Sequence, residues 1–470
     1  MEAEAENIKL QESTGLLLSQ EKEGSLFSSI FKLAIPIILQ NLIISSLGFV
    51  DFLMIGGQGE ASIAAVGLAN QVYFIYTCIL SSLCSGASIF TAQFWGKKDV
   101  QQVGRILGMV LCLCISIGAI FSMLSLFYSK GLIHLYSNDE KVVLMGGKFL
   151  FIIGISFVPT AVTFCYSAIL RSIEVVKMSM YISFFALSLN TALNYLFING
   201  LFGVPKLGIT GVAIATCLSR FIEMLLLIFM VYFRKTQLSF KSLNQVFDFN
   251  FSLLNKFLRT AVPLLVGTLS WALGISVYHM IYARIGTDSI AAYNVASTIE
   301  NLAFVFFIGL CGASNVIIGK NIGAEKPDVA YHLGKKIVLI SFIGSIAVGL
   351  LIYVCSSPVL SLYDLSAAGL SNAVNILMVM SLLLWLKVIN MTLIQGVLYG
   401  GGDTRFTLIQ GIISMWLFGI PAAIIGQQGF HLPIYWIMVI AVFGEEMSRF
   451  IMGITRFISK KWINNLTNAV

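Results

Sequence analysis

The stretch GEASIAA at residues 59–65 returns as GTDSIAA at residues 286–292. Gly59 falls on Gly286, and Ser62, Ile63, Ala64 and Ala65 fall on Ser289, Ile290, Ala291 and Ala292, an offset of 286 − 59 = 227 residues. The same offset carries Pro36 onto Pro263 and Gly96 onto Gly323. Each match sits at a similar place in a similar apolar pattern, so the chain reads as two copies of one unit. Duplication of a membrane-spanning unit is the build of secondary transporters, whose site lies between the copies.

The unit is membrane because of what the chain lacks. Of 470 residues, 58% are apolar and only 11% charged, where a soluble domain carries about 25% charge. Apolar stretches long enough to cross a bilayer recur along the whole length, and at ~20 residues each they make about twelve spans. We place them at 30–55, 63–94, 105–128, 142–169, 179–199, 208–233, 258–284, 290–318, 333–356, 370–399, 406–427 and 433–457. The fold class is therefore all-α integral membrane, with twelve transmembrane helices in two six-helix bundles. A polar tail at 1–27 precedes an N-lobe at 28–233. An interlobe loop at 234–257, a C-lobe at 258–457 and a tail at 458–470 follow. The first ~25 residues lack the basic start and apolar core of a signal peptide.

Charge orients the spans. Loops after even-numbered spans and the C-terminal tail carry Lys97, Lys98, Arg105, Arg171, Arg234, Lys235, Lys320, Lys326, Arg405, Lys460 and Lys461. Loops after odd-numbered spans carry only Lys130, Lys141, Lys148, Lys206 and Arg284. The positive-inside rule puts the first set, and both termini, in the cytoplasm. Six spans per copy is an even number, so the copies insert alike and are related by an axis along the membrane normal. The net charge of +7 comes from these loops and does not point to nucleic acid. All eight cysteines lie in apolar segments without metal or disulfide spacing and read as packing residues.

Ionisable groups inside a bilayer are expensive and need a reason to be there. Asp51 lies in LGFVDFLMIGG of span one. Asn190 and Asn194, four apart on span five, share one helix face, and Thr216 lies in GITGVAIATCLSR of span six. A carboxylate with amide and hydroxyl oxygens suits Na+, or a carboxylate that cycles a proton, rather than a transition metal. The same residues also fit a structural hydrogen-bonded cluster. Glu300 sits mid-span in VASTIENLAF and is read as the deep acid of the second copy, a substrate counter-ion or coupling group. The alternative is a pair with Lys387 of span ten. Arg220 with Glu223, and Glu445 with Arg449, have the spacing of helix pairs that satisfy each other, and Glu446 stands beside them; both groups read as structural. Pro36 and Pro263 each remove a helical hydrogen bond, and their matched places suggest conformational hinges as much as fixed kinks. Plentiful Phe, Tyr and Met would suit flat lipophilic cations through stacking and cation–π contact.

No phosphate loop or zinc motif is present; GGGD at 400–403 lacks the following Lys-Ser/Thr. Enzyme chemistry and organic cofactors are not expected, and transport would draw on an ion gradient or on the substrate's own.

The combination resembles the multidrug and toxic compound extrusion (MATE) family, bacterial type, over about residues 28–457. The carriers are AIPIILQNLIISSLGFVDFLMIGGQGEASIAAVGLANQ, FTAQFWGKKD with its counterpart VIIGKNIGAEKPD, IAAYNVASTIENLAF and VLYGGGDTRF. The resemblance implies a V-shaped pair of bundles around a central cavity in the plasma (inner) membrane. It implies export of organic cations, drugs or amphipathic metabolites by Na+ or H+ antiport, as a monomer among membrane lipids. It puts the N-lobe monovalent cation site on Asp51, Asn190, Asn194 and Thr216, and matches Glu300 to an acid of span eight. Some members carry further acids in spans seven and ten; here those regions read LLVGTLSWALGISV and LLLWLKVINMTLIQ, with Lys387, which favours N-lobe coupling. The alternative function is a lipid or lipid-linked oligosaccharide flippase of related fold, which needs a strongly cationic cavity. A major-facilitator transporter would carry G-x-x-x-D-x-x-G-R after span two, where this chain has GKKDVQQVGR. A receptor or scaffold does not explain the duplication.

Overall fold

The repeated motif turns out to be a helix start. The computed structural model describes residues 30–43, 46, 54–55, 59–201, 203–240, 243–360 and 366–469. Within it, Gly59 caps helix α2 (Glu60–Gly96) with φ 89°, and Gly286 caps helix α9 (Thr287–Gly323) with φ 153°. Positive φ is costly for a side chain with Cβ, so glycine is required at both places. Glu60 and Asp288 stand in the first turns, where the helix dipole favours an acid. The two helices have the same length, 37 residues, at the 227 offset at both ends.

The remaining elements follow the same order in each half. The first half has α1 (Ile30–Ile43), α3 (Val100–His134), α4 (Glu140–Gly154), α5 (Phe157–Ser172), α6 (Val176–Asn199) and α7 (Ile209–Phe233) around α2. A short 3-10 turn, Leu243–Phe247, leads to α8 (Phe251–Ala283), which starts inside the stretch read as interlobe loop. After α9 come α10 (Pro327–Leu360), α11 (Ala367–Met391), α12 (Thr404–Ile412), α13 (Ile420–Ile424) and α14 (Ile434–Ile458). Among the described residues, nine spans meet the length and apolarity that a membrane crossing needs, and α4 with α5 makes a tenth, bent by 51°. The described part of α1 is short, and α14 carries Glu445, Glu446 and Arg449 within its apolar length. These two complete twelve. Many large apolar side chains face outward, Phe233, Phe229, Ile343 and Leu350 among them, as lipid-facing surface does. The chain is a multi-pass integral membrane protein.

The sharp bend of the fourth span lies at a place that the sequence reading did not mark. α8 continues as a helix through Pro263, well inside its length, and the carbonyl freed by the missing N–H is tolerated where neighbouring helices pack around it. The described part of α1 likewise continues through Pro36. The sharp bend instead breaks the fourth span at Ile155 and Ser156, where the Ser156 hydroxyl donates to the Ile153 carbonyl at 2.7 Å. A π-helical stretch, Thr392–Leu398, extends α11, and two more, Ile413–Gly419 and Ile425–Gly429, flank α13. Such stretches are rare and loosen the regular ladder.

The first helix of each copy packs against the second helix of the other. Phe257 and Ala261 of α8 lie against Gly86 of α2, and Ile37 and Ile38 of α1 lie against Gly312 and Gly309 of α9. At the Lys/Arg-rich end the two long helices touch directly. A Cβ added at Gly96 would overlap the Lys320 carbonyl, and one at Gly323 would overlap the Gln93 carbonyl. Since 96 + 227 = 323 and 93 + 227 = 320, this is one contact made twice, as a two-fold interface demands. The C-terminal segment seals the same end. Trp462 is fully buried and stacks on Phe457. Gln93 of α2 donates from Nε2 to the carbonyls of Gly400 (3.2 Å) and Asn464 (3.1 Å), while its Oε1 accepts from the Leu466 N–H at 2.8 Å. Lys256 of α8 donates to the Leu466 carbonyl at 2.6 Å.

Candidate functional site

Among the described residues, buried polar clusters interrupt the apolar helices in both halves. In the first half α6 and α7 pack side by side and carry polar residues at helical spacing toward each other. Asn190 and Asn194 are 1% and 0% exposed. Asn190 Nδ2 donates to Thr216 Oγ1 at 3.3 Å and to Ser219 Oγ at 3.2 Å, and Asn194 Nδ2 donates to Asn190 Oδ1 at 3.0 Å. Three of the four residues expected to form a cation site are thus together. The fourth, Asp51, lies outside the described residues.

A second arm of this cluster sits about two turns along α6. Ser183 Oγ donates to Glu223 Oε1 at 3.0 Å, and Arg220 Nη1 donates to Glu223 Oε2 at 2.8 Å. Gln40 of α1 donates to Ser183 Oγ at 3.3 Å, which ties the first span to the pair. A small cavity opens between the arms, lined by Ile43 of α1, Asn190 of α6, and Ser219, Arg220 and Glu223 of α7. Its polar lining is amide, hydroxyl and carboxylate oxygen with one guanidinium. That donor set fits a hard monovalent cation or a proton and does not fit a soft metal. The helical pairing of Arg220 with Glu223 read from the sequence is present. Gln40, Ser183 and Ser219 were not anticipated, although Ser183 stands seven residues before Asn190 and Ser219 three after Thr216, the spacings of one helix face.

In the second half Glu300 of α9 and Lys387 of α11 form an ion pair at 2.6 Å. The alternative of a buried pair, rather than a lone acid, is what the geometry has. Glu300 is also not the sole deep acid of this half: Glu445 and Glu446 of α14 are 6% and 8% exposed, against 8% for Glu300. Arg449 Nη2 reaches Glu445 Oε1 at 2.6 Å and Nη1 reaches Glu446 Oε1 at 3.3 Å. Tyr278 of α8 donates its hydroxyl to Glu445 Oε2 at 2.6 Å, and Asn390 of α11 donates to Glu446 Oε2 at 2.8 Å. The reading of Glu445, Glu446 and Arg449 as one local helix group therefore understates them; they are bound to two other helices. All eight cysteines are free, and six of them are buried, in keeping with packing.

The comparisons with known proteins fit this two-copy geometry. The MatE family model matches twice, over residues 36–196 and 263–425, so the matches begin at Pro36 and Pro263, one offset apart. The chain is 29% identical over 460 residues to the uncharacterized transporter YisQ of Bacillus subtilis, covering 96% of this chain and 97% of YisQ. It is 24% identical over 448 residues to the probable multidrug resistance protein NorM of Thermotoga maritima, covering 95% of each. A solved outward-facing conformation of a multidrug resistance MATE family transporter of the MOP superfamily overlays with a TM-score of 0.83 at 21% identity, across 92% of this chain and 96% of that one.

Proposed function

The chain belongs to the MatE family, a family of transporters, and from that premise we propose that it is a secondary active exporter. It expels small amphipathic or cationic compounds in exchange for entering Na+ or H+. The observation that carries the reading is the buried set Asn190, Asn194, Thr216 and Ser219, which opens on a cavity shared with the first span. Asp51, in the same span, is the carboxylate that this set lacks. Ion binding or protonation at Asp51 is the coupling event, with Pro36 and Pro263 as the candidate hinges. The protein sits in the plasma membrane as a monomer with both termini in the cytoplasm.

The exchange works by alternating access. The paired contact of α2 with α9, sealed by the C-terminal segment, closes the Lys/Arg-rich, cytoplasmic end. Substrate leaves to the outside from this state as the coupling ion enters. An ion can shift the balance of two states only through unequal affinity for them, so the coupling group must change its surroundings between the states. The flippase alternative is disfavoured by charge. The intramembrane cations Arg220, Lys387 and Arg449 each hold a carboxylate at 3.3 Å or less, which leaves no strongly cationic cavity for a pyrophosphate among the described residues.

The test is efflux of a fluorescent organic cation from oriented proteoliposomes, driven by a Na+ gradient and separately by a pH gradient. Wild type should expel the dye under one gradient, and Asp51→Asn should lose that drive while keeping its fold. Normal gradient-driven efflux by the variant would remove Asp51 from the mechanism. A folded wild type that ignores both gradients would point to a flippase instead.

A further inference from the structure

Among the described residues, the five acids and cations that meet inside the second half do not balance. Glu300, Glu445 and Glu446 give three negative charges, Lys387 and Arg449 give two positive, and the sum is 2 − 3 = −1. All three acids are at least nine-tenths buried. A net buried charge is costly, and such a site relieves itself by taking up a proton or a counter-ion. From this imbalance and its geometry we propose that the α11–α14 cluster is a proton site, with the proton carried by Glu446 Oε1 in the resting protein. The proposal rests on the exporter reading only for its purpose, as a second coupling site in the C-lobe.

Hydrogen-bond geometry selects Glu446 among the three. Glu300 is held by Lys387 at 2.6 Å. Glu445 is held on one oxygen by Arg449 at 2.6 Å and on the other by the Tyr278 hydroxyl at 2.6 Å. Both donors favour the charged form. Glu446 has only the long 3.3 Å approach of Arg449 Nη1 and a neutral amide donor, Asn390 Nδ2. Asn390 itself is 1% exposed, and its Oδ1 is buried without a hydrogen-bond partner. A carboxylate has no use for a second acceptor, but a carboxylic acid does. Asn390 offers both halves of an acid–amide pair: an N–H for the acid's carbonyl oxygen and a free acceptor for its O–H. An orphaned buried acceptor costs about 1–3 kcal/mol, and a proton on Glu446 relieves that cost together with the surplus charge.

The surrounding groups leave the assignment in place. Arg449 also feels Tyr278 of α8 and Tyr399 at the end of the α11 extension, and Lys387 feels Glu446 of α14 and Tyr293 of α9. Tyr282 of α8 lies near Glu445, Glu300 and Tyr293, and His279 of α8 packs edge-on against Tyr293, one ring further away. The phenols are neutral donors at ordinary pH and add no positive charge. In the proton step an O–H bond forms on Glu446, taking H+ from water on the open side, and the cluster becomes neutral. Release to the other side restores the carboxylate and the charge.

Infrared difference spectroscopy on the purified protein in lipid nanodiscs tests this without any transported compound. In an Asp51→Asn background at neutral pH, a protonated-carboxyl C=O band that shifts in D2O is expected. The band should disappear in Asp51→Asn with Glu446→Gln and persist in Asp51→Asn with Glu445→Asp, which keeps the charge count of the cluster. A band that survives Glu446→Gln overturns the assignment. So does the absence of any protonated-carboxyl band in the Asp51→Asn protein, a result that does not depend on whether the Glu446 variant folds. Because no efflux is measured, failure here leaves the exporter reading standing, and a protein that fails to export can still show the band.

Discussion

Asn190 joins α6 to α7 through two donated hydrogen bonds and holds Asn194 through a third. Asn190→Ala removes all three of these hydrogen bonds from a buried place, so a loss of about 1–3 kcal/mol of stability is expected. The concentration of coupling ion needed for half-maximal efflux should rise with it. Thermal melting and dye efflux, measured on the same preparation, check both; an unchanged ion dependence would separate the cluster from coupling. At the second site, removing one partner of a buried ion pair leaves a naked charge, so Lys387→Met should cost about 3–5 kcal/mol. The double variant Glu300→Gln with Lys387→Met should cost much less than the single. A double-mutant cycle measures this, and additive costs would mean that the pair is not coupled. Asn190, Asn194 and Thr216 were legible in the sequence because polar residues stand out within apolar helices and four residues make one turn. Ser219, Ser183 and Gln40 were not, since each is ordinary in a membrane helix until its partner on another helix is known. Glu445 and Glu446 were visible as residues, but their ties to Tyr278 and Asn390 span 167 and 56 positions, and no local pattern records such distances.

At the scale of elements, the sequence placed α2 and α9 at 63–94 and 290–318, within a few residues of Glu60–Gly96 and Thr287–Gly323, because a long apolar run is a local signal. The bend at Ser156 and the π-helical stretches around α13 have no comparable signature; they depend on which helix presses from the side. Pro36 and Pro263 are legible because each lacks an N–H, and helical structure continues through both. The C-terminal segment was read as a plain tail because its residues are polar and few. Its order comes from Gln93 and Lys256, hundreds of residues earlier. Trp462→Ala should therefore cost about 3–5 kcal/mol, the usual loss for a fully buried large aromatic. Ending the chain after Ile458 should raise the reactivity of a cysteine introduced for Lys97 toward a membrane-impermeant maleimide from the cytoplasmic side. Unchanged labelling would mean that the segment does not help to keep that end shut.

For the whole molecule, the duplication sets the symmetry from which the proposed mechanism starts. Two copies of one unit meet through the same contact made twice, Gly96 on Lys320 and Gly323 on Gln93. A contact of that kind can open and close as one event, because neither half of it can separate without the other. The two-copy build follows from an offset of 227 residues; the place of the contact and the closeness of the backbones there do not, since they depend on how the bundles lean. Lys97 and Ala324 cap α2 and α9 on either side of it, again one offset apart. The most direct measurement is dye efflux from proteoliposomes by a Lys97→Cys, Ala324→Cys protein, with the eight native cysteines replaced, before and after joining the pair with a short reducible crosslinker. If export requires this contact to part, crosslinking stops efflux and reduction restores it. Efflux at the full rate from fully crosslinked protein would contradict alternating access through the α2–α9 contact.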